Sequence, residues 1–263
     1  MKKIFFFLSV IVSSFFCYSQ PNIVWQKNFG DYMNDVANSI ILSSDGNYVF
    51  AGKKTTFNKK DEAWIAKIDT NGNLINEKSY GGKQVDQAYC IIELDNSGFA
   101  IAGQNQSKSN GFSDAWFLST NNIFKKPQSK ITGGKIWDEV YSVIEINNNL
   151  LYAGYTSSFG AGAADAWILK TTDKGQVIFD KTYGGSDYDV AKCAIESFDG
   201  SIFFIGSTES ESAGKKDAWL VNLDASGNLK WQKTYGNSGF DIANDFVQTN
   251  DGGFLIVGTT NSK

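Results

Sequence analysis

Two residue types that serve many catalytic sites are missing from this chain of 263 residues. It contains no histidine, and all 24 of its cationic side chains are lysines, so it contains no arginine either. Without histidine, the Ser-His-Asp triad, the Cys-His dyad and the H-E-x-x-H zinc site are excluded. Without arginine, no guanidinium group can bind a phosphate or a carboxylate through two parallel hydrogen bonds.

Proline and positive charge are also scarce. The only prolines are Pro21 and Pro127, and the formal net charge is −4. An acidic chain lacks the basic face that nucleic acids require, so we expect no nucleic-acid partner. Apolar residues make up 42% of the chain and aromatic residues 14%. This composition is sufficient for a folded core and argues against disorder.

The first 19 residues have the pattern of a secretory signal peptide. Lys2 and Lys3 precede an apolar run over residues 4–16, and a cleavage site precedes Gln20. The run is about 13 residues long, whereas a helix that spans a membrane needs about 20. A membrane anchor and a lipid attached to Cys17 are the alternatives. We expect a secreted or cell-surface protein with no membrane span.

A repeat of 51 to 52 residues follows, and three independent markers keep its period. An aspartate recurs at Asp35, Asp86, Asp138, Asp189 and Asp241. A glycine recurs at Gly52, Gly103, Gly154, Gly206 and Gly258, and an acidic-Ala-Trp triplet ends at Trp64, Trp116, Trp167 and Trp219. The chain therefore divides into the signal peptide and one domain, 20–263, with repeats at about 23–75, 76–126, 127–178, 179–230 and 231–263.

Each repeat is predicted to form four short β-strands. In the fourth copy these are residues 190–196, 202–207, 218–223 and 229–235, and Asp199-Gly200 makes the first turn. No segment shows the sustained 3.6-residue apolar period of a helix. Four antiparallel strands repeated at this period are typical of a propeller blade, so the predicted fold is all-β, a β-propeller.

Five inner strands, one at each repeat aspartate, predict five blades, of which the last is incomplete. We expect residues 23–29, with Trp25 in register with Trp231, to close the ring as an outer strand. The alternative is an arc of a larger propeller. Cys90 and Cys193 stand at equivalent positions two blades apart, which favours free buried thiols over a disulfide.

The repeat also resembles a known family. The pattern Y-G-G-x(3)-D-x-A, then D-G-x(5)-G, then D-A-W-L-x-x-L-D-x-x-G is similar to the bacterial β-propeller repeats of the SBBP type, from about residue 23 onward. The resemblance implies a place in secreted or surface proteins and brings no catalytic residues with it. The strand order is similar to that of quinoprotein-like propellers, whose cofactor-site residues have no counterpart here, so we expect no cofactor.

The repeat aspartates allow two interpretations. A ring of carboxylates at one end of the propeller could bind a cation such as calcium. Alternatively, each carboxylate accepts hydrogen bonds from the amides of its own loop. Since the aspartate occurs in every repeat, we favour the structural interpretation and expect no metal site.

Three aromatic residues that differ between the copies are the candidate ligand-binding residues. Trp137, Tyr188 and Phe240 each precede a repeat aspartate, on the same face as the variable loops between the second and third strands. Aromatic rings on such loops offer stacking surfaces for a carbohydrate or a protein partner. The alternative is that they pack between neighbouring blades.

These observations favour a non-catalytic propeller that acts as a binding or scaffold module. The first alternative is a propeller enzyme that cleaves a polysaccharide through paired carboxylates. The second is a structural segment of a larger adhesin-like protein. Acidic residues unique to one blade would favour the enzyme, and a loop face rich in exposed aromatics would favour the binding module.

Overall fold

The computed structural model describes residues 23–31, 33–57 and 60–261, in which every regular element is a β-strand. In these ranges four antiparallel sheets of four strands and one two-stranded hairpin follow one another. No helix in these ranges is long and apolar enough to cross a membrane. The predicted signal peptide, residues 1–19, lies outside the described residues.

Each sheet is one blade, and its strands pair in chain order. Blade 1 contains β1 Val36–Leu42, β2 Tyr48–Thr55, β3 Asp61–Ile68 and β4 Leu74–Tyr80. Blade 2 contains β5 Asp86–Glu93, β6 Phe99–Asn105, β7 Asp114–Thr120 and β8 Gln128–Thr132. Blade 3 contains β9 Asp138–Ile146, β10 Asn149–Thr156, β11 Asp165–Thr172 and β12 Val177–Tyr183. Blade 4 contains β13 Asp189–Glu196, β14 Ile202–Thr208, β15 Asp217–Leu223 and β16 Leu229–Tyr235. Blade 5 contains β17 Asp241–Gln248 and β18 Phe254–Thr260.

Burial within a blade is greatest on its two middle strands. In blade 4 every residue of β14 is buried, whereas most of the outer strand β16 is exposed. Trp219, which ends the acidic-Ala-Trp triplet, is buried on β15 and contacts the ring of Phe204 edge-on. At the turn before β14, Gly200 has a φ of 79°, a conformation that glycine adopts without steric cost. The tryptophan of the triplet thus marks a core position in each of blades 1 to 4.

Successive blades pack face to face through their inner strands, β1, β5, β9, β13 and β17. Each junction contains an apolar cluster drawn from both blades. Between blades 3 and 4, Leu151 and Ile168 pack against Phe204, Trp219 and Val221. Full burial of side chains of this size contributes about 1.5–3 kcal/mol each, so the junctions supply much of the stability of the array.

The array is an open arc, and the prediction of a closed five-bladed ring is wrong. Among the described residues, no strand of blade 5 pairs with a strand of blade 1. Ile40 on β1 is 62% exposed and Val257 on β18 is 55% exposed, although their counterparts in the other blades are buried in junctions. The shortfall is in blade 5, which has two strands in the described part of the chain. What the structure supports is an all-β, propeller-like arc of antiparallel blades.

Residues 23–29 pack on blade 1 instead of completing blade 5. Trp25 Nε1 donates a hydrogen bond to the carbonyl oxygen of Thr70 (2.8 Å), and the Phe29 ring lies 5.7 Å from the Phe50 ring. Trp25 and Phe29 cover an apolar face formed by Phe50 and Trp64. The β12 strand covers blade 4 in the same way. Burial of these rings explains why the segment remains on blade 1.

Candidate functional site

Every inner strand contains a β-bulge near its beginning. In each blade the register between the first two strands skips one residue, and the skipped residues are Asn38, Tyr89, Tyr141, Lys192 and Asn244. The repeat glycine of the second strand faces the bulge: a Cβ at Gly154 would lie 1.9 Å from the backbone oxygen of Glu139. A bulge redirects a side chain out of the regular alternation of the strand. The bulge residue is asparagine in two copies, tyrosine in two and lysine in one.

The bulge residues of blades 2, 3 and 4 meet. The rings of Tyr89 and Tyr141 are 5.0 Å apart, and the Lys192 ammonium group lies 3.6 Å from the centre of the Tyr141 ring. The Tyr155 ring also stacks on the Tyr141 ring, with ring centres 5.9 Å apart. We refer to these four residues, together with Glu139, as the inner-strand cluster.

Glu139 provides the carboxylate of the inner-strand cluster and is 7% exposed. The hydroxyl of Tyr89 donates a hydrogen bond to its Oε2 at 3.0 Å. Tyr141 and Tyr155 lie close enough for the Glu139 charge to raise their pKa values. Burial raises the pKa of Glu139 above its ordinary value, and the tyrosines and the Lys192 charge offset this effect only in part. The folded protein therefore binds the proton of this carboxyl group more tightly than the unfolded chain does.

Burial also shifts the pKa values of the other members of the cluster. Burial raises the pKa of Tyr89, Tyr141 and Tyr155, and the charge of Glu139 adds to the effect. Burial lowers the pKa of Lys192, although Glu139 acts in the opposite direction. The tyrosines thus remain neutral hydrogen-bond donors. A carboxyl and an amine with pKa values shifted toward each other are suited to proton transfer.

The acid of the inner-strand cluster occurs in one blade alone. The residues at the position of Glu139 in the other blades are Val36, Gln87, Val190 and Ile242, none of which ionises. A residue that only maintained the blade would recur with the repeat, as the aspartates do. A buried ionisable side chain in one copy only is the pattern of a functional residue.

The three candidate ligand-binding residues are exposed. Trp137, Tyr188 and Phe240 are 40%, 51% and 42% accessible, so they are not buried between blades, although Trp137 and Phe240 contact the loop of the preceding blade. Trp137 stacks on Phe112 with ring centres 5.6 Å apart. We refer to Trp137, Tyr188 and Phe240 as the aromatic rim. Because Trp137 lies two residues before Glu139, the aromatic rim and the inner-strand cluster lie at the same end of the inner strands. Whether the rim binds a ligand stays a prediction.

The repeat aspartates accept hydrogen bonds from the loops around them. Asp189 is fully buried and accepts hydrogen bonds from the Gly185 amide (2.9 Å), the Ser210 hydroxyl (2.6 Å) and the Thr208 hydroxyl. Loop or neighbouring donors bond the equivalent carboxylates of Asp35, Asp86, Asp138 and Asp241 in a similar way. In the described part of the chain, no group of three or more acidic or thiol side chains is placed to hold a metal ion.

No protein-family model matches the chain, and no curated protein matches it in sequence. Solved structures are similar in fold. An α-L-arabinofuranosidase from Fusarium graminearum has a TM-score of 0.52 at 12% identity, over 83% of this chain and 67% of its own. Mutants of Synechocystis apocarotenoid oxygenase are also similar: one has a TM-score of 0.46 at 10% identity, over 84% of this chain. Sqt1 from Chaetomium thermophilum has a TM-score of 0.46 at 12% identity, over 88% of this chain. This chain spans 55% and 59% of the length of the last two.

The similarity to the arabinofuranosidase corrects the prediction that the chain is not an enzyme. This neighbour is an enzyme with a TM-score of 0.52, so a fold of such blades is compatible with catalysis. At 12% identity the similarity shows the fold alone, and the reaction must be argued from this chain's own residues. The prediction gave too much weight to the missing histidine and arginine, because carboxyl, hydroxyl and amine groups suffice for proton transfer.

The inner-strand cluster was not predicted from the sequence. Small residues recur on both sides of the bulge position, such as Ala88 and Cys90 or Ala191 and Cys193, and they fit a regular inner strand. The available signal was the variable residue between the recurring small positions, which is tyrosine in two copies and lysine in one. Variation at a fixed position of a repeat indicates a side chain that the fold does not require.

Proposed function

We propose that this chain is a propeller enzyme that cleaves a glycosidic bond of a carbohydrate polymer, with Glu139 as the group that transfers the proton. The observation that carries the proposal is the buried Glu139 carboxyl group, which accepts a hydrogen bond from Tyr89, lies in a cluster with Tyr141, Tyr155 and Lys192, and is present in one blade only. The arabinofuranosidase contributes the precedent of the fold and nothing about this site.

Cleavage of a glycoside requires an acid that is still protonated near neutral pH. A raised pKa brings a carboxyl group closer to this requirement, and the acid form can protonate the oxygen of the leaving sugar as its bond to the sugar carbon breaks. Water then adds to that carbon and loses a proton, which returns Glu139 to its acid form. Burial supplies the raised pKa of Glu139. The hydrogen bond from the Tyr89 hydroxyl fixes the direction of the carboxyl group, and this positioning contributes to the rate because the proton must reach one oxygen atom.

The aromatic rim supports a carbohydrate as the substrate class. Sugar rings present apolar faces that stack on aromatic side chains, and Trp137, Tyr188 and Phe240 are exposed at the end of the inner strands where Glu139 lies. We propose that the rim binds units of the polymer that flank the cleaved bond. The rim and the inner-strand cluster then act on one chain of sugars.

A second candidate reaction is eliminative cleavage of a polysaccharide whose sugars carry carboxylates. The inner-strand cluster contains one carboxylate, whereas the paired-carboxylate route of hydrolysis uses two at about 5–9 Å. The neighbouring Asp138 carboxylate is bonded to the Gly134 amide and the Ser158 hydroxyl. Elimination needs a cation that binds the sugar carboxylate, and Lys192 provides one. It also needs one group that removes a proton from the sugar and one that donates a proton to the leaving oxygen.

The test is a cleavage screen of the purified chain on neutral and uronate-containing polysaccharides. New reducing ends without unsaturated products indicate hydrolysis, and ultraviolet-absorbing unsaturated ends indicate elimination. We expect Glu139→Gln to lower kcat by at least about 100-fold, the usual contribution of a positioned acid or base. The matched control is Glu145→Gln on the same strand, which should retain activity.

The rim has its own measurement. Truncation of Tyr188 to alanine should raise KM and leave kcat nearly unchanged, because a stacking residue contributes binding that is equal in the ground state and the transition state. A fall in kcat with no change in KM would contradict a binding role for the rim.

We further propose that the chain is exported and acts outside the cell. The support is the lysine-led apolar run over residues 4–16 and the resemblance of the repeat to the SBBP type. We expect mass spectrometry of the mature protein to identify Gln20 as its first residue. A chain that retains Met1 in the cytoplasm would contradict export.

A further inference from the structure

The two ends of the arc carry the two halves of a junction that the chain makes four times. We call the face that a blade turns toward the next blade in the chain its forward face, and the face that it turns toward the preceding blade its backward face. At each internal junction, the forward face of one blade packs on the backward face of the next. Blade 5 presents a forward face with no blade on it, and blade 1 presents a backward face that residues 23–29 cover only in part, within the described residues.

The forward face of blade 5 exposes apolar side chains that are buried everywhere else in the repeat. Leu255 is 60% exposed, and its counterparts Val49, Ala100, Leu151 and Phe203 are at most 7% exposed. Val257 is 55% exposed, and its counterparts Ala51, Ala102, Ala153 and Ile205 are fully buried. Val247 on β17 adds a third exposed side chain to this face.

The backward face of blade 1 also exposes an apolar side chain that is buried in the other blades. Ile40 is 62% exposed, whereas its counterparts Ile91, Val143, Ala194 and Phe246 are at most 3% exposed. Ile40 lines a groove with Phe29, Phe50 and Ile68. At the internal junctions the equivalent space is filled by apolar residues of the second and third strands of the preceding blade, such as Val49 and Ile65 packed on blade 2.

Polar groups at the two ends match as well. At the first junction, Asn38 Nδ2 donates to the Ala88 carbonyl oxygen (2.8 Å), and the Ser39 hydroxyl accepts a hydrogen bond from the Ile91 amide (3.3 Å). The Ser142 hydroxyl accepts from the Ala194 amide in the same way (3.4 Å). At the open end of blade 5, Asn244 stands at the position of Asn38.

Asp245 stands at the position of Ser39 and Ser142. Its Oδ1 accepts a hydrogen bond from the Phe246 amide (2.8 Å), and a carboxylate has a second acceptor oxygen. On the backward face of blade 1, Ala37 and Ile40 occupy the positions of Ala88 and Ile91. Asn244 can therefore donate to the Ala37 carbonyl, and Asp245 can accept from the Ile40 amide, across a fifth junction. The open ends thus match in hydrogen bonds as well as in apolar surface.

We propose that the open end of blade 5 docks on the groove of blade 1 of a second copy of the chain, head to tail. The contact repeats the internal junction: Leu255 and Val257 cover Ile40 of the second copy, and the Asn244 and Asp245 side chains make the two backbone hydrogen bonds. Such a heterologous contact leaves a free half at each outer end, so it extends or closes with further copies.

The test is the mass of the purified full chain measured by light scattering over a range of concentrations. We expect the wild type to have at least twice the mass of one chain. Ile40→Lys and Leu255→Lys should each reduce the mass to that of one chain, because a lysine replaces an apolar contact in the junction. Ile178→Lys, at an exposed position on the outer strand β12, is the matched control and should associate like the wild type.

Mixing the two variants distinguishes head-to-tail docking from other contacts. Ile40→Lys retains an intact blade 5 face, and Leu255→Lys retains an intact blade 1 face. An equimolar mixture should therefore form a dimer although each variant alone is a monomer. A wild type that is monomeric at every concentration, as it would be if the ends closed within one chain, would overturn the proposal. Failure of the mixture to form a dimer would also overturn it.

Discussion

Glu139 makes the folded protein less stable at neutral pH than an uncharged side chain would. Because burial raises its pKa above the ordinary 4.5, the folded state binds the proton more tightly than the unfolded state does. The stabilising contribution of this group is full below the unfolded pKa and is lost as pH rises through the folded pKa. A side chain that reduces stability and is retained in one copy of a repeat is typical of a functional site.

This asymmetry gives a prediction for Glu139→Gln, whose amide resembles the protonated carboxyl group in shape. The variant should equal the wild type in melting temperature at pH 4 and exceed it at pH 7. Thermal unfolding followed by circular dichroism at both pH values checks this. A variant that is less stable than the wild type at pH 7 would show that the carboxylate form stabilises the fold.

Glu93 provides the matched control with the opposite sign. Burial raises its pKa, but hydrogen bonds from Ser43 (2.8 Å) and from the Ser44 amide (2.6 Å) outweigh burial, and the net shift is downward. Its contribution to stability is therefore present above the unfolded pKa and is lost as pH falls through the folded pKa. Glu93→Gln should be less stable than the wild type at pH 7, and the difference should shrink at acid pH.

The two cysteines of the repeats are free thiols, in agreement with their equivalent positions in two blades. Burial raises the pKa of Cys193 to about 12, with a further contribution from Asp245, and burial also raises the pKa of Cys90. Since the thiolate is the reactive form, Cys193 in the folded protein should alkylate roughly 1,000-fold more slowly at pH 8 than in the unfolded chain. Peptide mass spectrometry after timed iodoacetamide treatment measures this, and rapid native labelling would contradict it.

At the scale of the element, the repeat aspartate holds the loop that leads into each inner strand. Asp189→Ala would leave the Gly185 amide and the Thr208 and Ser210 hydroxyls without their acceptor in a buried place. We expect a loss of about 3–5 kcal/mol in the free energy of unfolding, measured by denaturant titration. Asp199→Ala, in the exposed hairpin turn of the same blade, is the control and should cost far less. Equal losses would remove the case for a special role of the repeat position.

The strands were predictable because their signals are local. In blade 4, alternation along residues 218–223 and the Asp199-Gly200 turn predict β15 and the β13–β14 hairpin, and both are present. The bulges were not predictable in this way. A bulge depends on how two strands pair, and the single repeat glycine that faces it, such as Gly206, has several common explanations in a strand. The inner-strand cluster depends on those bulges and was therefore missed.

At the scale of the whole molecule, the arc extends from blade 1 to a two-stranded blade 5. The repeat period predicted the number of inner strands correctly, since period and strand pattern are properties of one blade at a time. Closure depends on contact between residues about 200 positions apart, on which a local pattern carries no information. Residues 23–29 resemble an outer strand in sequence, and the structure places them on blade 1.

The cleavage assay with Glu139→Gln tests the central claim most directly. The wild-type chain should generate new ends from at least one polysaccharide, Glu139→Gln should lose at least about 100-fold in kcat, and Glu145→Gln should match the wild type. The same Glu139→Gln sample should melt at or above the wild-type temperature at pH 7, which separates loss of chemistry from loss of fold. Full activity of a folded Glu139→Gln variant would contradict the assignment of the inner-strand cluster as the catalytic site.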